Sequence, residues 1–213
     1  MSFYQAYKAL VEPILGRTLT SADGCAVRPA LRIPSALADY YVAVGAIHMI
    51  NRRHDRLLDP SALQVEDGMV IFYEENQGVA YWAIREVDLH LPDPTVYLAQ
   101  DTTAGLEWSS ENMTVSSWFP FMIHWQIVNG GFQFWGWATG IGDAERAVSA
   151  HYPFLLARAD GATRFYGVDS QIICLAPSGA MAEVRAAGRA EKDFRHLDSL
   201  LAFEWDYSIL QEL

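Results

Sequence analysis

Met69-Val70-Ile71-Phe72-Tyr73-Glu74, then Glu75-Asn76-Gln77-Gly78, then Val79-Ala80-Tyr81-Trp82-Ala83-Ile84 is the stretch that decides the fold class. The two outer segments are rich in β-branched and aromatic side chains, which fit a pleated, half-buried surface, and the Asn/Gly segment between them supplies a turn. Two antiparallel strands follow from this. Downstream, Pro92 and Pro94 flank Asp93, and Thr95-Val96-Tyr97-Leu98 gives a third strand. That strand must begin after the prolines, because a proline has no N–H to donate to a ladder.

Helices flank this meander. Phe3, Tyr7, Leu10, Val11, Ile14 and Leu15 recur at helical spacing before Gly16. A second helix opens near Pro34 and carries Leu37, Tyr40, Tyr41 and Val44 to a stop at Gly45. Residues 17–30 read as a connection. Ile47, Met49 and Ile50 suggest a short strand, with a polar loop after it as far as Asp67. Thr114 or Ser116 caps a helix through Trp118, Phe119, Met122 and Trp125 to Val128, ending at Gly130 and Gly131. Residues 132–142 mix Phe132, Phe134, Trp135 and Trp137 with three glycines and read as an irregular aromatic segment.

In the last third, residues 164–168, 171–176 and 181–186 read as strands, with a turn at 177–180. Phe194, Leu197, Leu200, Leu201 and Trp205 predict a terminal amphipathic helix over 191–206. Strands at the centre, helices at both ends and no regular βαβ alternation give an α+β class: a single domain with a mixed, largely antiparallel sheet flanked by helices.

A chain of 213 residues with 51% hydrophobic content buries a sizeable core without disulfides or metals. No apolar run reaches the roughly 18–20 residues a bilayer requires, and the first residues lack the basic and apolar regions of a signal peptide. A cytoplasmic protein with no membrane contact is expected, and Cys25 and Cys174, far apart in sequence, suit a reducing compartment. The formal net charge is −11, of which −10 falls on residues 55–111. Between Arg85 and Arg146 there is no Lys or Arg. Direct nucleic-acid binding is therefore not expected, since neutralising phosphates needs a cationic footprint. A basic protein partner is the natural complement, and solubility is the ordinary reading of the same charge.

No catalytic constellation emerges. His48 and His54 are six residues apart, off one helical face, with no carboxylate completing a metal motif. Glu74 and Glu75 are adjacent on a strand end, so alternation points them to opposite faces; a hydrolase using either one is the enzyme alternative. Gly140-Ile141-Gly142-Asp143 is neither a dinucleotide fingerprint nor a phosphate loop. The pairs Ser109-Ser110 and Ser116-Ser117 lack a nucleophile-elbow frame and read as loop and cap residues. Cys25 has no cationic pattern near it in sequence to lower its pKa, and Cys174 reads as a core thiol. The aromatic density from Trp118 to Trp137 reads as core, with a binding groove as the alternative. The expectation is no catalytic residues, no metal and no cofactor.

The order of pieces carries a resemblance. Leu31-Arg32-Ile33-Pro34-Ser35-Ala36-Leu37-Ala38-Asp39-Tyr40-Tyr41, then Gly45, then Asn51, then Ile71-Phe72-Tyr73-Glu74-Glu75-Asn76-Gln77-Gly78-Val79, then Asp93-Pro94-Thr95-Val96-Tyr97, resembles the SUKH superfamily, the Smi/Knr-like proteins. The resemblance covers residues 30–128 best, and the strands and helix of 164–206 suit the same layout. It implies function by binding: bacterial members are similar to immunity proteins that neutralise toxins, nucleases among them, and eukaryotic relatives act as regulatory adaptors. No catalytic residue carries over. Glu66, Asp67, Glu75, Asp88 and Asp93, at expected turns or strand ends of the acidic segment, are the candidate partner contacts, and a solvated face is the ordinary alternative for each.

Overall fold

A computed structural model describes residues 1–28, 32–103, 105–179 and 181–212. Pro29 and Ala30 of the expected connection, Leu31 of the family-like segment and Ala180 of the expected turn lie outside them. The chain divides into two compact units, Met1–Glu12 with Arg17–Pro120, and Pro13–Gly16 with Phe121–Leu213.

Helix α1 (Phe3–Leu15) buries Tyr7, Val11 and Ile14, a stripe at four- and three-residue spacing. In the first unit, α2 (Ser35–Val44) starts directly after Pro34, and its Ala36 N–H donates to Pro92 O at 2.9 Å, which satisfies one of the donors a helix start leaves open. The short α3 (His48–Asn51) occupies the segment expected as a strand. The reason is Asn51, which is fully buried: its Nδ2 donates to Val44 O at 2.7 Å and its Oδ1 accepts from Tyr40 Oη at 2.7 Å. A side chain bracketed onto α2 this way is satisfied only if the chain curls back.

Strands β1 (Arg56–Leu57), β2 (Gln64–Glu66), β3 (Met69–Glu74), β4 (Ala80–Arg85), β5 (Thr95–Thr102) and β6 (Gly105–Thr114) form one sheet in the order β1-β3-β4-β5-β6, with β2 also paired to β3. The deciding stretch is thus its centre, and Met69 through Tyr73 are all buried. The hairpin partner β6 is a strand the sequence did not announce, and Ser109 and Ser110 lie on it, not in a loop. As an outer strand with mostly exposed polar residues, it lacks the hydrophobic signal that marks a buried one. The first turns of α4 (Val115–Gln126) place Trp118 and Phe119 in this unit's core, where Phe119 stacks on Tyr40 with ring centroids 3.4 Å apart and Trp118 meets Tyr73 edge-on at 5.1 Å.

The second unit holds β7 (Phe134–Ile141), α5 (Ala144–Ser149), β8 (Phe154–Ala157), β9 (Arg164–Val168), β10 (Gln171–Ser178), β11 (Met181–Gly188), α6 (Glu191–Leu201) and β12 (Tyr207–Ser208). Its sheet runs β12-β7-β11-β10-β9-β8. Every pairing recorded in both sheets is antiparallel, and the fold is α+β. The aromatic segment read as irregular is an inner strand, β7. Its glycine misled the reading, yet Gly136 is there for packing: a Cβ would lie 2.8 Å from Tyr207 O and 3.1 Å from the Phe194 ring. The terminal helix ends at Leu201, five residues earlier than the periodicity predicts. Ala202 turns left-handed (φ 49°), and Trp205 folds back so that its Nε1 donates to Asp198 Oδ1 at 2.6 Å and its ring meets Phe194 at 5.7 Å. The contact period survives after the helix has stopped.

Candidate functional site

The acidic segment takes its geometry from the β2–β3 hairpin. Glu66 pairs with Met69, so the turn has two residues, Asp67 and Gly68, both left-handed (φ 50° and 74°). An Asp-Gly pair of this kind matches the right-handed twist of the flanking strands, which is the local reason the sequence turns here. Gly68 O accepts the Glu86 N–H at 2.8 Å, tying the turn to the connection between β4 and β5. That connection opens with a 3-10 turn, Glu86–Asp88.

The connection is anchored at four further points. Arg85 Nε donates to Asp88 Oδ2 at 2.7 Å, and the Arg85 guanidinium lies over the Tyr97 ring. Pro92 O holds the start of α2, and Pro94 O accepts the Val115 N–H at 3.0 Å. Asp93 caps α4, with Oδ1 accepting the Ser116 N–H at 2.8 Å and Oδ2 accepting the Ser116 hydroxyl at 2.6 Å. A carboxylate at a helix start satisfies orphan donors and faces the positive end of the dipole. Among the described residues, this end of the first sheet therefore carries Glu66, Asp67, Glu86, Asp88 and Asp93, and Val87, between two of them in sequence, is 73% exposed.

The five expected contacts divide by what they already do. Glu66 and Asp67 are exposed and enter no ion pair among the described residues. Asp88 is half-buried against Arg85, and Asp93 is half-buried on its cap. Glu75 is carried to the opposite end of the sheet, where its Oε2 accepts the N–H groups of Gln77 at 2.8 Å and Val79 at 3.5 Å. Glu86 and Val87 were missed by sequence reasoning. The signal available was their place between two short breaks, after β4 and before the prolines.

The residues tested for chemistry are engaged elsewhere. Glu74 pairs with Arg56. Cys25 lines a cleft of about 240 Å³ with His48, Arg52 and Asp59, so the fold brings the Arg52 cation near it, which its neighbours in sequence do not show. Its Sγ–H donates to Tyr41 O at 3.6 Å. Burial, reinforced by Asp59 and only partly opposed by Arg52, pushes the thiol up and keeps it protonated. Cys174 is buried in β10, and its thiol is pushed up by burial. Tyr7, behind Asp93, has a buried hydroxyl with no hydrogen-bond partner; burial first, and Asp93 and Asp39 after it, push its pKa well up. Among the described residues no group of three His, Cys, Asp or Glu side chains is placed to hold a metal ion, and no helix is long and apolar enough to cross a membrane.

No family model, no curated protein and no solved structure matches this chain.

Proposed function

We propose that the chain is a non-enzymatic protein-binding protein, similar to the SUKH immunity proteins, that neutralises a cognate basic toxin through the acidic end of its first sheet. The observation that carries this reading is the set of acidic residues at one end of the first sheet, beside exposed Val87, on turns whose backbone is tied to a hairpin turn and to two helix starts. A backbone already fixed by its own hydrogen bonds loses little freedom on binding. A nuclease is the partner chemistry that fits, because it must present cations to hold its substrate, and an acidic inhibitor is steered onto that surface by long-range attraction. Against a hydrolase working through Glu74 or Glu75 stand the Arg56 pair on one and the two turn bonds on the other.

The test is co-purification with the product of a neighbouring toxin-like gene, followed by association kinetics at low and high salt. A triple variant, Glu66→Gln, Asp67→Asn and Glu86→Gln, keeps the left-handed turn, since Asn tolerates it. It is expected to slow association about tenfold or more at low salt and to change it little at high salt, as steering does. Association indifferent to both salt and these substitutions would sink the reading. Capture without loss of toxic activity would replace neutralisation by an adaptor role.

A further inference from the structure

Gly140-Ile141-Gly142-Asp143 is the motif that protein binding leaves unexplained. In the second unit it leads from β7 to α5, and its last three residues line a cleft of about 790 Å³. That lies inside the roughly 300–1,000 Å³ range of small-molecule sites. Gly142 has no reason of its own to be glycine. Its φ lies outside the left-handed region, and a Cβ added to it would meet nothing within 4 Å. With no side chain there, this stretch of the wall is open to close approach by a guest.

The cleft has one apolar side, formed by Ile141, Leu175, Pro177 and Met181, the last of them 55% exposed. Its charged side holds two ion pairs, Arg164 Nη1 with Glu145 Oε1 at 2.7 Å and Arg146 Nη2 with Asp143 Oδ2 at 3.0 Å. Glu145 also accepts the Tyr166 hydroxyl at 3.0 Å. The formal charges cancel but the hydrogen-bonding capacity does not. A guanidinium carries five N–H donors, and each of these spends one on its carboxylate. The Arg164 and Arg146 side chains remain 36% and 84% exposed, so it is their outer N–H groups that are in surplus, while the Arg164 Nε–H is buried without an acceptor and reports on the guanidinium without meeting a guest. Surplus donors beside an apolar wall select an organic anion. The two carboxylates disfavour a second negative charge on the guest, which argues against polyphosphates.

We propose that this cleft binds a small monocarboxylate with an apolar body, its carboxylate on Arg146 and Arg164 and its body along Ile141, Leu175, Pro177 and Met181. The experiment is a titration of the full chain, observed through backbone amide and arginine Nε–H resonances, with octanoate, octanamide and inorganic phosphate. Octanoate is expected to give saturable shifts at Gly142, Ala144 and the Arg164 Nε–H. Octanamide should bind about tenfold or more weakly, because the charge-assisted bonds are lost, and phosphate should not saturate. Gly142→Leu should abolish the octanoate shifts while leaving resonances of the first unit in place, and Arg146→Gln should weaken binding about tenfold.

N-acetyl-leucine in the same titration separates the two sources of such a group. Tighter binding than octanoate supports the carboxylate site with a peptide chain end as its guest, and weaker binding supports a free acid. Equal binding of octanoate and octanamide, no saturable shift with either acid, or wild-type binding by Gly142→Leu would each overturn the proposal. The partner test reads a different unit, so the failure of one leaves the other standing.

Discussion

The two units carry the same kind of sheet and an excess of acid over base, and among the described residues each sets four carboxylates against arginines. In the second unit Asp143, Glu145, Glu183 and Glu191 each sit against an arginine: Arg146, Arg164, Arg185 and Arg195. In the first unit Asp23, Asp59, Glu74 and Asp88 are paired in the same way, to Arg17, Arg52, Arg56 and Arg85, and Asp93 is committed to a helix cap. Glu66, Asp67 and Glu86 remain without an ion pair among the described residues, at the sheet end where Val87 is exposed. Formal net charge already counts the paired arginines; what the structure adds is where the unpaired acids lie. What remains in the first sheet after caps and pairs are subtracted divides between its two ends, with Asp101 and Glu107 exposed at the end opposite Val87.

The largest expected effect bears on whether each unit rests on its own core. Trp118→Ala in the first and Phe194→Ala in the second should each cost about 3–5 kcal/mol in denaturant unfolding, because both aromatics are fully buried. A cost below about 1 kcal/mol at either one would mean that its surroundings collapse around the gap, and the picture of two aromatic-centred cores would break. A smaller effect sharpens the division among carboxylates. Asp93→Ala should lose about 1–2 kcal/mol, the worth of a helix cap, whereas Glu66→Ala should stay within about 0.5 kcal/mol. If the two cost the same, the split between committed and available acids is wrong.

The first unit's sheet centre was legible because β3 and β4 are buried and β-branched, and α1 and α2 because their apolar stripes and stops agree with each other. What failed in the sequence had tertiary causes. Asn51 converts an apolar tripeptide setting into a helix by bonding to Tyr40 and Val44, partners that local pattern does not contain. The glycine of β7 signals irregularity until Tyr207 and Phe194 are seen pressing on it. Candidate site residues were legible as acidic turns but not by role: the Asp93 cap on Ser116 spans 23 residues, and the bond from Glu86 to Gly68 joins two separate turns. Glu75, chosen by the same rule as Asp67, ends at the other end of the strand, because a strand carries its two turns apart.

The smallest effect compares one buried phenol from each unit. Tyr7 in the first and Tyr152 in the second both have hydroxyls buried without a hydrogen-bond partner. Burial pushes Tyr152 up to about 12 from an ordinary 10. Between those values the unfolded chain has released the proton and the folded one still holds it, so stability falls as pH rises from about 10 and is complete below that. Tyr152→Phe should remove part of this alkaline loss, read as the difference between denaturant midpoints at neutral pH and above pH ~10. At neutral pH the same variant should be neutral or slightly stabilising, since an unpartnered buried hydroxyl costs more than its removal. Tyr7→Phe should behave alike but with the greater alkaline benefit, because Asp93 and Asp39 add their repulsion to burial. A neutral-pH loss above about 1 kcal/mol in Tyr7→Phe alone would show that its hydroxyl contributes to holding Asp93 in place, and would bind the acidic surface more closely to the core beneath it.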